Sequence, residues 1–305
     1  MDQELRSKVL SCIRKPRLRT ERAVIMTKAY REHEGEPLII QRANVFRALA
    51  NEMPVSIDDW QLIVGNYSSE PFSISVYPEA QWRAALENLD SFGTRDGDKY
   101  IVTDEDKAIL REILPWWEGK CIQDHSFAML PDNVRAIYEA GVCDSGYLSS
   151  GSGNIAPNYR KVINKGMEAI RAEIQKKYDA IDISDAAEVD KWLYYKAALI
   201  CCDAAMEFAE RYAALADKMA VEETRPERKK ELEKIAKVCH RAVRYPAETF
   251  SEAAQTFWFL HIMVHFETAG GTGIAVGRMD QYLYPYYKTE EPEEIRKWLS
   301  NLWIN

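Results

Sequence analysis

Histidine is scarce in this 305-residue chain, at 5 residues, and the 6 cysteines include no Cys-x-x-Cys pair. The first twenty residues are charged throughout and hold no apolar run of the kind a secretory signal needs. A disulfide scaffold is therefore not expected, and Cys201 and Cys202, within an apolar helical pattern, read as buried inert thiols. Positive charge is not in excess either. Lys and Arg total 40 against 48 Asp and Glu, a formal charge of -8, which disfavours nucleic acid as a partner. The longest apolar stretch, Phe257 to Phe266, is interrupted by His261 and His265 and is too short to cross a bilayer. There is no internal repeat and no low-complexity tract. The expectation is a soluble, cytoplasmic protein without membrane contact.

What is present is ordinary globular material, 47% hydrophobic and 29% charged, which excludes disorder, collagen and a coiled-coil rod. The length alone allows roughly one to three domains. Apolar periodicity and stop signals predict helices over 21–34, beginning after Thr20, and over 39–52, ending before Pro54. Residues 61–66 form a short apolar run that predicts a buried strand, and 72–77 alternate as an extended segment. Helix is predicted again over 103–114, closed by Pro115, and over 134–140, capped by Gly141. From Asn158 onward the pattern is strongly helical. One amphipathic helix is predicted over 158–181, and a long one over 187–221 with Trp192, Leu199, Cys202, Met206 and Ala213 on one face. A charged helix over 225–244 follows, then a buried one over 248–266. A last helix over 293–305 meets no cap, so the chain is expected to continue.

Two glycine-rich stretches stand apart from this pattern, 144–157 and 268–277. The first reads either as a linker or as a loop that lets backbone approach a ligand. The second contains Gly270-Gly271-Thr272-Gly273, but it lacks the Lys of a phosphate loop and follows a helix where a dinucleotide fingerprint needs a strand. His261 and His265 are spaced to face one metal ion, yet no third ligand is signalled, and packed or hydrogen-bonded helix histidines are the favoured reading. The tyrosines around Pro285 read as packing. The residues by themselves thus reach a helix-rich protein with two loops able to converge on one pocket.

At those loops the sequence resembles the glycyl-radical enzymes, in the N-terminal part of their pyruvate formate-lyase-like domain. The matching stretches are RLRTERAVIMTKAYRE (17–32), DDWQLIVGN (58–66), ILPWWEGK (113–120), LPDNVRAIYEAGV (130–142), SGSGNIAPNYRKVINKGMEAI (150–170), ICCDAAMEFAERYAALADKMA (200–220) and FETAGGTGIAVGRMDQYLYPYYK (266–288). The resemblance implies a single incomplete domain over 1–305, mainly α, that supplies the N-terminal part of a ten-stranded α/β barrel. It implies a lyase or dehydratase in which a thiyl radical takes a hydrogen atom from a small polar substrate before a C–O, C–N, C–S or C–C bond breaks. The alternatives are an arylacetate decarboxylase or formate acetyltransferase of the same family, or a truncated helical scaffold without activity.

Family members carry a catalytic Cys and a C-terminal radical Gly beyond the span matched here, so no catalytic residue is assigned to this chain and no cofactor is expected within it. The radical would be installed by a separate radical-SAM activating enzyme, in an anaerobic, usually homodimeric protein. The resemblance places substrate-binding positions at Gly146, Ser150, Asn154, Thr272 and Gly273. Where diol dehydratases of the family have His in the first loop this chain has Asn154. Where they have His-Ser in the second it has Thr272-Gly273. Asn and Thr orient a substrate by hydrogen bonds but do not act as an imidazolium acid. The other reading of Asn154 and Thr272 is that they hold the loops in shape.

Overall fold

The computed structural model describes residues 3–13, 15–143, 154–268 and 273–305. In chain order the elements are α1 (Gln3–Cys12), β1 (Arg17–Arg19), α2 (Glu21–Glu32), α3 (Leu38–Glu52), β2 (Ser73–Ser75), α4 (Pro78–Glu87), α5 (Asp104–Ile113), α6 (Ile122–Ala128) and α7 (Asp132–Glu139). The second half adds α8 (Tyr159–Lys165), α9 (Met167–Asp179), α10 (Val189–Glu222), α11 (Pro226–Arg241), α12 (Phe250–Glu267), α13 (Met279–Leu283) and α14 (Pro292–Ile304). The mainly helical expectation holds. β1 and β2 form a two-stranded parallel sheet with Leu18 opposite Ile74. Among the described residues no helix is long and apolar enough to cross a membrane.

The 34-residue α10 is the axis of the packing, with α3, α9 and α11 laid along it. Small residues make this close approach possible. Ala204, Ala209, Ala213 and Ala216 are buried along its length, and Phe208 and Tyr212 reach from it to Phe259 of α12. α12 is buried almost all round, as its unbroken apolar composition predicts.

Two predictions fail for identifiable reasons. The single helix over 158–181 is two helices, α8 and α9, broken at Gly166. That glycine has φ +76°, and a β-carbon on it would sit 2.5 Å from the carbonyl oxygen of Arg244. The break lets the amides of Met167 and Glu168 donate to the carbonyls of Val243 and Arg244, a tertiary contact that periodicity does not show.

The predicted strand over 61–66 is buried but joins no sheet. Its peptide groups are satisfied by side chains from three helices. Asn301 of α14 accepts from the amides of Leu62 and Ile63 at 2.9 and 2.7 Å and donates to the carbonyl of Trp60. Gln255 of α12 both accepts from the amide of Val64 and donates to its carbonyl. Tyr212 of α10 accepts from the amide of Asn66. Side-chain amides thus stand in for a neighbouring strand.

Smaller differences follow the same logic. The chain does not stop at Pro115 but tightens into a 3-10 turn over Leu114–Trp117. Gly141, at φ +69°, follows α7 as predicted. α4 and α6 arise in segments whose patterns gave no helix, 78–87 and 122–128.

Candidate functional site

The two glycine-rich stretches meet. The amide of Ile155 donates to the carbonyl of Gly273 at 2.9 Å, and the amide of Ala275 donates to the carbonyl of Ile155 at 2.8 Å. These two bonds make a parallel bridge between Ile155 and Ile274. Asn154 lies directly over Gly273, its carboxamide filling the space a β-carbon on residue 273 would need. Of the five predicted site positions, Asn154 and Gly273 are therefore brought together. Gly146, Ser150 and Thr272 lie outside the described residues.

Each loop is fastened to its helix. Asn158 caps α8 by accepting from the amide of Lys161 at 3.2 Å. On the other side, α12 ends at Glu267, and the carbonyl of Phe266 accepts from Arg22 at 2.9 Å. Arg22 is fully buried, pairs with Glu79 at 2.6 Å, and lies under the ring of Tyr77. A buried guanidinium is tolerated only with such partners, and here they anchor the helix end from which the second loop departs. After that loop, the Tyr282 hydroxyl donates to the carbonyl of Val276 at 2.8 Å.

A cleft of about 920 Å³ opens beside the bridge. α3 contributes Leu38, Ile39 and Phe46, α10 contributes Ala197, Cys201 and Cys202, and α12 contributes Met263 and Val264. Ile155, Pro157 and Thr268 bring both loops to its edge. An ion pair between Arg42 and Glu267 sits on the same wall. Burial pushes the thiols of Cys201 and Cys202 up to about 11, so they stay protonated, as their apolar helical setting predicts. Residues 154–158 and 273–277 carry no ionisable side chain. The described part of the loop pair can therefore orient a ligand by hydrogen bonds but cannot exchange a proton with it.

Under the loops lies an aromatic cluster that the sequence did not single out. Tyr159, the first residue of α8, packs edge-on against Phe257 and beside Tyr282. Its hydroxyl is 2.9 Å from Nδ1 of His261. His261 is a packed and hydrogen-bonded helix histidine, and His265 a packed one. His261 stacks on Trp258, His265 stacks on Tyr67, and among the described residues no group of three potential metal ligands includes them. Burial, and second the charge of His265, lower His261 to about 4, while burial raises Tyr159 to about 12. The four-residue spacing of the two histidines was visible in the sequence, but of their aromatic partners Tyr159 and Tyr67 come from distant segments.

The pyruvate formate lyase-like family model matches residues 2–305. The chain belongs to this family. It is 32% identical over 298 residues to the probable dehydratase YbiW of Escherichia coli (strain K12), an alignment covering 95% of this chain and 37% of that protein. Its fold superposes with a TM-score of 0.93 on the structure described for 1,2-propanediol dehydration in Roseburia inulinivorans, at 27% identity, covering 100% of this chain and 39% of the other. A glycyl radical enzyme from Archaeoglobus fulgidus gives 0.90 at 30% identity, covering 98% and 39%. The chain spans little more than a third of the relatives it matches, and its fold is that part of their barrel architecture.

Proposed function

We propose that this chain is the N-terminal portion of a glycyl-radical lyase of the dehydratase type, and that its two glycine-rich loops form one wall of the substrate site. The observation that carries the reading is the Asn154–Gly273 contact beside the Ile155–Ile274 bridge. Two segments more than a hundred residues apart meet at the positions where the family resemblance places substrate contacts. The family resemblance also places substrate contacts at Gly146, Ser150 and Thr272, which lie outside the described residues. A carboxamide over a glycine suits a small, neutral, hydroxylated substrate. Asn154 fixes a hydroxyl by accepting from it or donating to it, and the proton a departing hydroxide needs comes from a group outside the described loop residues.

In this reading the cysteine and glycine that carry the radical chemistry belong to the longer protein. Cys201 and Cys202 are unsuited to it, being held on a helix among apolar neighbours. A radical-SAM activating enzyme installs the glycyl radical, and the protein works as an anaerobic, cytoplasmic homodimer. The test is to activate the full-length protein anaerobically and record electron paramagnetic resonance before and after a panel of diols, hydroxy amino acids, sulfonates and arylacetates. A glycyl signal with turnover of a neutral diol supports the reading. Turnover of an arylacetate alone replaces it with the decarboxylase alternative, and absence of any glycyl signal removes it.

A further inference from the structure

Tyr159 and His261 have a geometry that hydrogen bonding alone does not use up. The phenol is 2% exposed, lies on the wall of the cleft, and is 2.9 Å from an imidazole nitrogen. The donor direction follows from burial. If Nδ1 carried the hydrogen, the phenol O–H would be left without its acceptor in an apolar cluster of Phe257 and Tyr282. The phenol therefore donates, Nδ1 accepts, and the imidazole is neutral with its hydrogen on Nε2. A buried tyrosine facing a neutral base can lose an electron without creating a buried phenol cation, because its proton has a place to go. The rings continue beyond His261. It meets His265 at 5.0 Å between centroids, and His265 stacks at 5.4 Å on Tyr67, which is 40% exposed.

We propose that Tyr159 and His261 form a proton-coupled redox site, in which one-electron oxidation of Tyr159 is accompanied by transfer of its proton to His261. The physiological oxidant, a thiyl radical, rests on the lyase reading above. It takes one electron from the phenol and becomes a thiolate. The Tyr159 O–H bond breaks, the proton goes to Nδ1 of His261, and a neutral tyrosyl radical and an imidazolium remain. Return of that proton to the thiolate leaves a thiol and completes a net hydrogen-atom exchange. The pair thus offers stray oxidising equivalents near the cleft a defined place to settle.

The experiment oxidises the full chain, without activation or substrate, with photogenerated ruthenium(III) tris-bipyridine, and reads the frozen product by electron paramagnetic resonance and electron–nuclear double resonance. The expected product is a tyrosyl radical coupled to one proton that exchanges in heavy water. Tyr159→Phe loses that radical, while His261→Phe, with circular dichroism confirming its fold, loses the coupling and shortens the lifetime about tenfold. An unchanged signal in Tyr159→Phe overturns the proposal. So does a Tyr159 radical in the unsubstituted protein without an exchangeable-proton coupling, a result that needs no variant to fold. Photo-oxidation of the pair in a protein that never acquires a glycyl radical keeps the redox site and removes only the lyase reading.

Discussion

The carboxamide of Asn154 occupies the place that a β-carbon on Gly273 would take. The two residues are separated by most of the helical half of the chain, and each constrains the other. A side chain at 273 requires Asn154 to leave, and the present direction of Asn154 requires glycine at 273.

Gly273→Ala is expected to mimic Asn154→Ala in substrate binding, since both remove the carboxamide from its position. One hydrogen bond is at stake, about 0.5–1.5 kcal/mol, or a severalfold rise in KM. Both residues are exposed, so melting temperature should barely move. Kinetics of the full-length protein with each single variant and the double variant check this. A double-variant effect equal to the sum of two large single effects would show that the residues act separately.

Asn301→Ala should be severely destabilising. The side chain is fully buried and is the hydrogen-bond partner of three backbone groups, at Trp60, Leu62 and Ile63. Leaving buried peptide groups unpaired costs about 1–3 kcal/mol each, so a loss of ~3 kcal/mol or more is expected. Urea unfolding followed by tryptophan fluorescence measures it. A loss below that of a single surface substitution would mean that water replaces the carboxamide.

Gly166→Ala combines a backbone conformation open almost only to glycine with a contact at the Arg244 carbonyl. The expected cost is about 1–3 kcal/mol from the conformation alone, with the α8–α9 break losing its bonds to Val243 and Arg244. Thermal unfolding of this variant should begin well below that of Gly35→Ala, whose site has open space at a similar φ.

Two histidines predict opposite pH dependences. His261 is held at about 4, below its unfolded value near 6.5. The unfolded chain therefore binds a proton that the folded chain refuses, and stability falls as pH drops from about 6.5 toward 4. His240 is raised by its hydrogen bond to Asp217 first, and by Glu210 as well. Its contribution is present below about 6.5 and disappears as pH rises through its raised value. That site is 42% exposed, so the pair adds at most ~1 kcal/mol. Melts of His261→Gln should flatten the acid limb of the profile. Melts of His240→Gln should lower stability at pH 6 and leave pH 9 unchanged.

Local pattern determined the helices from α8 onward, apart from the break at Gly166 and the short α13, for which no helix was predicted, and it determined the buried face of α10 from Leu199 to Ala213. Each of these is decided by residues a few positions apart, which is the range over which apolar periodicity and glycine act. The same reading, extended by family resemblance, pointed to Asn154 and Gly273. What it had no means to supply was contact. Residues 61–66 carry the composition of a strand, but whether they pair with a strand or with Asn301 and Gln255 depends on helices roughly two hundred residues downstream. His261 and His265 carry the spacing of a metal pair, but Tyr159, Trp258 and Tyr67 make them packed rings, and two of those three come from outside their helix. Arg22 lies in an amphipathic helix like any surface arginine until Glu79 and the carbonyl of Phe266 enclose it. Sequence spacing sets which way a side chain leaves its own element. Only the packing of separate elements sets what it meets, and burial then turns that meeting into chemistry by removing water from around it.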